Sequence, residues 1–389
     1  METIDPTRAG FDAARLVRVT AAIDADVAAG RSDGAAIVVA RGGRVVLAEA
    51  RGFADRGAGR RLALDDVFVS MSVGKQFVNV LVLAAVERGA LRLHAPIAEW
   101  LPEFRGRGKD RITLAHLLTH TSGITAQVPA LPPEELIDVA RLTAWAAQAP
   151  LESLPGARVT YSIAVAHAVL GDLLVRTDSA GRRLGAILRE DLFAPLGMRD
   201  TVLGPRADLV ARLCPVVACY DQPGLFDPRA LEGLAALVLT DGAELPAGGF
   251  LTTAADLHRF AEMLRRGGAL DGQRVLAPAT LKLARRNHTG RRPNSLMDYT
   301  VALRGWNRWP AFIGLGFFVR GEGVIPGPHG NLASPETFGG WGAGSTAFWI
   351  DPARDVTCVF LSTGLMEDSH HLERVSRLAD LVLAALVEP

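Results

Sequence analysis

Val69-Ser70-Met71-Ser72-Val73-Gly74-Lys75-Gln76-Phe77 sets a hydroxyl and an amine three residues apart at the head of an apolar run. If a helix begins near Ser72, positions i and i+3 share a face, and the Lys75 amine reaches the Ser72 hydroxyl directly. Residues 75–87 continue as a helix, with apolar side chains at Phe77, Val78, Val80, Leu81, Leu83 and Val86, and Gly89 stands where it would stop. A serine at such a helix start also lies beside backbone N–H groups and the positive end of the helix dipole, which stabilise an oxyanion. The pairing is that of a nucleophile with its base.

A Ser-x-x-Lys spacing alone is equally what a capped helix with a surface lysine produces. The lysine count sharpens it. Lysine occurs only at Lys75, Lys109 and Lys282, so 39 of the 42 basic residues are arginine (42 minus 3). Arginine stays protonated near neutral pH, whereas a lysine desolvated in a pocket can accept a proton. Lys109, in Arg-Gly-Arg-Gly-Lys-Asp, and Lys282, in Thr-Leu-Lys-Leu-Ala-Arg-Arg, read as ordinary surface.

With 389 residues, 49% apolar and 22% charged, the chain can bury a large core and is long enough for two lobes. The formal charge is zero and basic residues gather only in short clusters such as Arg105 to Arg111, which argues against nucleic acid and anionic membrane as partners. Small neutral substrates fit better. The stretch Met1 to Gly10 has no apolar core and no apolar run reaches membrane-spanning length, so the expected location is the cytoplasm. Cys214, Cys219 and Cys358 form no Cys-x-x-Cys pair and read as packing residues. The nine histidines show no ligand spacing, and adjacent His370 and His371 would point apart on a helix; neither a metal nor a cofactor is expected.

Leu16 to Ala28 reads as an amphipathic helix. Gly34 to Ala40 and Arg44 to Ala50 read as strands joined across Gly42-Gly43, a hairpin signal. From Ser72 to about Leu239 the pattern is mainly helical. Thr346 to Ile350 and Val356 to Leu361 read as a second hairpin, followed by a closing helix from about Leu372 to Leu386. The expected fold is α+β: an antiparallel sheet built from both termini and flanked by helices, with a mainly helical lobe inserted. The expected division is a sheet domain of residues 1–71 plus 240–389 and a helical lobe of residues 72–239, with the active site between them.

Two further segments carry chemistry. Pro155-Gly156-Ala157-Arg158-Val159-Thr160-Tyr161-Ser162 is a turn leading to one of only three tyrosines, the others being Tyr220 and Tyr299. A phenol beside a lysine can share a proton and serve as base, or as acid for a leaving group; standing alone, Tyr161 would read as a half-buried helix-start residue. Phe338-Gly339-Gly340-Trp341-Gly342-Ala343-Gly344-Ser345-Thr346 puts glycines on a strand, where a ligand can approach the backbone and an amide can oppose that of Ser72; a glycine-rich turn is the plainer alternative.

Together the three segments resemble the serine β-lactamase and penicillin-binding protein superfamily, most closely its class C-like branch, which includes the family VIII carboxylesterases. The likeness extends over roughly residues 30 to 385 through Gly52-Phe53-Ala54-Asp55, Leu91-Arg92-Leu93-His94-Ala95-Pro96-Ile97 and Trp100-Leu101-Pro102-Glu103-Phe104. It continues through residues 112–124, which include His116 and His120 as structural members of the signature, through Leu196-Gly197-Met198, and through residues 247–257. The resemblance implies a β-lactamase-like fold with Ser72 as acylated nucleophile, Lys75 as activating base and Tyr161 as proton relay to the leaving group. It implies that Gly340-Trp341-Gly342 stands for the Lys-Thr-Gly strand element, with Ala343 supplying an oxyanion amide. Which of Lys75 and Tyr161 takes the first proton stays open.

Two departures bear on substrate. The tyrosine motif usually ends in Asn two residues on, but here Ile163 stands there, removing an amide that would hold an acylamino group. The lysine of Lys-Thr-Gly is replaced by Gly340, and the Trp-Gly-Gly variant of family VIII esterases is permuted by one position. The expected activity is hydrolysis of small or medium carboxylic esters through an acyl-enzyme on Ser72. The rivals are acyl transfer to an alcohol or amine, an amidase or weak β-lactamase, and a non-catalytic binding protein. Trp306, Trp309, Phe312, Phe317 and Phe318 are candidate walls of an acyl pocket, though core or loop anchoring is the commoner use of such residues.

Overall fold

The computed structural model describes residues 1–222 and 224–387. Strands come from both ends of the chain: β1 (Gly34–Arg41), β2 (Arg44–Asp55), β3 (Arg60–Arg61), β4 (Phe318–Val319), β5 (Phe338–Gly342), β6 (Thr346–Asp351) and β7 (Val356–Thr363). They form one antiparallel sheet in the order β3-β2-β1-β7-β6-β5-β4, in which Val38 pairs with Val359 and ties the N-terminal hairpin to the C-terminal one. The expected α+β architecture is the one found. Gly42 and Gly43 both adopt positive φ, 58° and 78°, the geometry of a two-residue turn whose twist matches its strands.

Alternation along β1 sends Ile37 and Val39 to one face and Ala36 and Val38 to the other, and both faces are covered. On the first face lie α1 (Ala13–Ala28) and a C-terminal helix, Asp368–Ala384, which meets α1 through Leu16, Val19, Val375 and Leu378. That closing helix begins four residues earlier than the apolar pattern suggests. The Glu367 carboxylate accepts from the Ser369 and His370 amides, and this cap extends the helix past its apolar residues.

The other face carries a larger core reaching α2 (Lys75–Glu87), α3 (Val139–Gln148), α4 (Val165–Thr177) and α6 (Ala254–Arg265), while α5 (Pro228–Val238) packs through Leu231 and Val238 in a separate cluster with Met71 and Leu245; the C-terminal helix is then α7. Phe77 of α2 makes edge-to-face contacts with Phe193, Phe250 and Phe260 at centroid distances of 4.8 to 5.3 Å. A side chain at Gly74 would run into Phe250, so the glycine lets the head of α2 settle on this cluster. A small sheet of Phe68–Val69, Phe250–Thr252 and Val202–Leu203 lies just ahead of Ser72, and its two-residue pairings leave no alternation legible in the sequence. Among the described residues no helix is long and apolar enough to cross a membrane.

Lys109 corrects the expectation of a surface lysine. It is 1% exposed, and its ammonium donates to Ala146 O and Ala147 O at 2.8 and 2.6 Å. Those carbonyls belong to the last turn of α3, which lacks intrahelical partners, so a cation there satisfies orphan acceptors at the negative end of the helix dipole. Cys214 and Cys358 are buried, and all three cysteines are free thiols.

Candidate active site

Ser72 sits in a 3-10 turn, Met71–Gly74, that runs directly into α2. Met71 holds a φ of 48° in this turn, and the residue before it is fixed on both sides: Ser70 N donates to Phe250 O at 2.8 Å, and Thr346 Oγ1 of β6 donates to Ser70 O at 2.8 Å. A left-handed residue without glycine is strained, and such strain persists where the surroundings over-determine it.

The Lys75 Nζ lies 3.0 Å from Ser72 Oγ, 2.8 Å from Ile163 O and 2.7 Å from Ala247 O. The side chain is 1% exposed, and burial pushes its pKa from 10.5 down to about 7. These three neighbours suit both protonation states. The ammonium has three donors for three acceptors; the neutral amine keeps two donors for the two carbonyls and turns its lone pair to the Ser72 hydroxyl.

Tyr161 packs on the same centre. Lys75 Nζ is 5.1 Å from its ring centroid, the ring stacks on His120 at 4.2 Å, and Phe318 lies 5.7 Å away on a stacked plane. Burial raises the phenol pKa, a hydrogen bond with Ser72 works the other way, and the Asp368 charge adds to the rise. His120 is held neutral, its pKa driven down to about 3 by burial and then by Lys75, so its Nδ1 accepts from Ser162 N at 3.1 Å. The Asn294 side-chain oxygen accepts from Tyr161 N at 3.0 Å.

The glycine strand β5 lies on the turn that carries Ser72. A Cβ on Gly342 would come within 2.8 Å of Ser72 N, and one on Gly340 would strike the Gln76 amide oxygen, so these two glycines allow the close approach. Gly340 therefore faces α2 beneath the strand and walls neither cavity at Ser72. Trp341 turns to the opposite side, toward Phe318 and His371, while Ala343 lines both cavities that reach Ser72.

One of those cavities, about 220 Å³, runs between Ser72 and α5, and every side chain on its wall apart from Ser72 is apolar. The other, about 30 Å³, is bounded by Ser72, Tyr161, Asn294, Trp341 and Asp368. Asp368 is 2% exposed and its pKa is raised to about 7 by burial and the Glu367 charge, against a hydrogen bond from Gly344 N. Of the five aromatic candidates for the acyl pocket, only Phe318 borders a cavity at Ser72. Trp309 lines a neighbouring one, Phe312 and Phe317 are core, and Trp306 pairs with Trp309. Phe226 borders both cavities, and the larger is otherwise walled chiefly by α5 with residues 69, 71, 128, 136, 163 and 245.

Ser72, Lys75, Tyr161, Trp341, Gly342 and Ala343 thus converge, while Gly340 faces Gln76 of α2. Sequence reasoning missed Asn294, in Arg-Pro-Asn-Ser, and Asp368, which reads as an ordinary helix-start acid. Among the described residues no group of three or more His, Cys, Asp or Glu could hold a metal ion.

The family model described as Beta-lactamase matches residues 19–382. The esterase EstB of Burkholderia gladioli is 38% identical over 216 residues, which is 51% of this chain and 54% of that protein, so this match spans about half of the relative. Penicillin-binding protein 4 of Amycolatopsis lactamdurans is 31% identical over 324 residues, 79% of this chain and 80% of that protein. Among solved structures, a penicillin-binding protein homolog from Caulobacter crescentus superposes with a TM-score of 0.78 at 25% identity, covering 96% of this chain and 98% of that one. A family VIII carboxylesterase does so at 0.76 and 22% identity, covering 97% and 99%.

Proposed function

The chain belongs to the beta-lactamase family, and we propose that within it this protein is a serine hydrolase cleaving small or medium carboxylic esters through an acyl-enzyme on Ser72. The observation that carries the proposal is the buried Lys75 amine, 3.0 Å from Ser72 Oγ with a pKa brought down to about 7. At neutral pH about half of such lysines are uncharged. This amine or the Tyr161 phenol beside it takes the hydroxyl proton as Oγ attacks the ester carbonyl. The amides of Ser72 and Ala343 receive the oxyanion, and Tyr161 passes a proton to the departing alkoxide. Water then attacks the acyl-enzyme by the reverse relay, releasing the acid and restoring Ser72. Which of Lys75 and Tyr161 accepts the first proton is settled by kinetics of the two single variants.

Esters are favoured over amides and β-lactams by what the site lacks. Ile163 offers only a backbone carbonyl where an amide side chain would hold an acylamino group, and neither cavity at Ser72 has a Lys or Arg on its described wall to hold a carboxylate. The name of the EstB relative, an esterase, points the same way. Acyl transfer to an alcohol uses the same acyl-enzyme and is separated by product analysis with added acceptor. We further propose the cytoplasm as its location and a two-part organisation, residues 1–71 with 240–389 and residues 72–239, with the site between.

Hydrolysis of p-nitrophenyl butyrate and nitrocefin by wild type and Ser72→Ala tests the reading. Ester turnover lost in the variant, with little nitrocefin cleavage, is expected; a Ser72→Ala protein that still turns over esters refutes it.

A further inference from the structure

Two cavities meet at Ser72, and the two halves of an ester must divide between them. Tyr161, the proposed proton donor to the leaving alcohol, bounds the small cavity and is absent from the wall of the large one. The alcohol therefore leaves on the Tyr161 side, and the acyl group lies on the α5 side. This step rests on the acyl-enzyme reading above.

The wall on the α5 side sets what that acyl group is. Leu231, Leu234, Ala235 and Val238 present one face of α5, at helical spacing, to a space whose other side is formed by Ile163 and Ala247. With no polar side chain beyond Ser72 among the described residues, an amide, hydroxyl or charge on the acyl group would be buried without a partner. Size follows from volume. A cavity of about 150 Å³ holds benzene, so one of about 220 Å³ takes roughly nine carbon-sized groups.

We infer that the acyl group is an unsubstituted aliphatic chain of about eight carbons, laid along α5 from Ser72.

The test is a series of p-nitrophenyl esters from acetate through butyrate and octanoate to palmitate, with wild type, Ala235→Phe and Leu231→Ala. In wild type, kcat/KM rises by up to about fourfold per added methylene as far as octanoate and falls at palmitate. Ala235→Phe fills the cavity and lowers the octanoate-to-acetate ratio of kcat/KM by at least about tenfold; Leu231→Ala moves the optimum to longer chains. A cooperative thermal melt followed by circular dichroism shows that each variant is folded. Wild type that prefers acetate, or variants that keep the wild-type profile, overturn the inference while leaving the Ser72 hydrolase intact. A second readout needs no turnover: n-octylboronic acid should raise the melting temperature of wild type more than ethylboronic acid does, and less so in Ala235→Phe. Equal shifts overturn the inference. Silence on every ester with a larger octyl shift overturns the hydrolase reading and keeps the pocket.

Discussion

Replacing Lys75 by Met should remove catalysis and, at the same time, change how stability depends on pH. The folded chain holds the Lys75 pKa near 7 against 10.5 for the free side chain, because burial disfavours the ammonium. The sign follows from proton counts. Between these two values the unfolded chain binds more protons at this site than the folded one, so stability from this group rises with pH through the window and is constant below about pH 7. A shift of 3.5 units, 10.5 minus 7, corresponds to about 5 kcal/mol over the whole window, of which about 3 kcal/mol falls between pH 6 and 9. Met has no such titration. It also leaves Ile163 O and Ala247 O without their donor, a pH-independent cost of about 1–3 kcal/mol for each. The informative quantity is therefore the difference in unfolding free energy between wild type and Lys75→Met, measured by urea titration at pH 6, 7, 8 and 9. It should move in favour of wild type by about 3 kcal/mol across that range. A difference that stays flat refutes the depressed pKa and with it the neutral-lysine base. The kinetic counterpart is kcat/KM of wild type on p-nitrophenyl butyrate, which should fall about tenfold per pH unit below 7.

Tyr161→Phe keeps the ring stacked on His120 and removes only the hydroxyl; kcat/KM on ethyl butyrate, whose alkoxide must be protonated to leave, should drop by about 10² to 10⁴ with the thermal midpoint little changed. A drop of less than about threefold would exclude the proton relay. Lys109→Met keeps the alkyl stem and leaves Ala146 O and Ala147 O unmatched inside the protein, so urea unfolding should show a loss of about 2–4 kcal/mol with kcat unchanged. A loss under about 0.5 kcal/mol would mean that the carbonyls find other donors.

The two hairpins of the sheet could be read in advance because their strands run apolar over five or more residues and turn at Gly-Gly or Asp-Pro, whereas the two-residue edge strands β3 and β4 carry no such signal. Ser72 and Lys75 were legible for a different reason: a spacing of three on a helix is a local geometric constraint that needs no tertiary information. Tyr161 and the glycine strand became convincing only through resemblance, since neither carries a local constraint toward Ser72. What failed to show was tertiary. Lys109 lies in a run of arginines and glycines that looks solvated, and only the end of α3 arriving over it makes it an interior residue. Asn294, from a loop, and Asp368, from the start of α7, reach the site from more than a hundred residues downstream of Tyr161, where nothing marks them. The aromatic residues at 306–318 read more readily as core or loop anchors than as a pocket wall, and Phe312 and Phe317 are core, whereas the large cavity at Ser72 is walled in part by an ordinary amphipathic face of α5 that a sequence shows as a core stripe.

The two carbonyls that hold Lys75 belong to Ile163 and Ala247, and the side chains of those same residues line the large cavity. The proposed base is thus gripped by main chain, which no substitution among ordinary residues deletes, while the cavity is shaped by side chains, which every substitution alters. Residues 163 and 247 can change in bulk without withdrawing either acceptor from the amine. Evolution, or a directed library at these two positions, can retune which acyl groups enter while inheriting the proton chemistry unchanged.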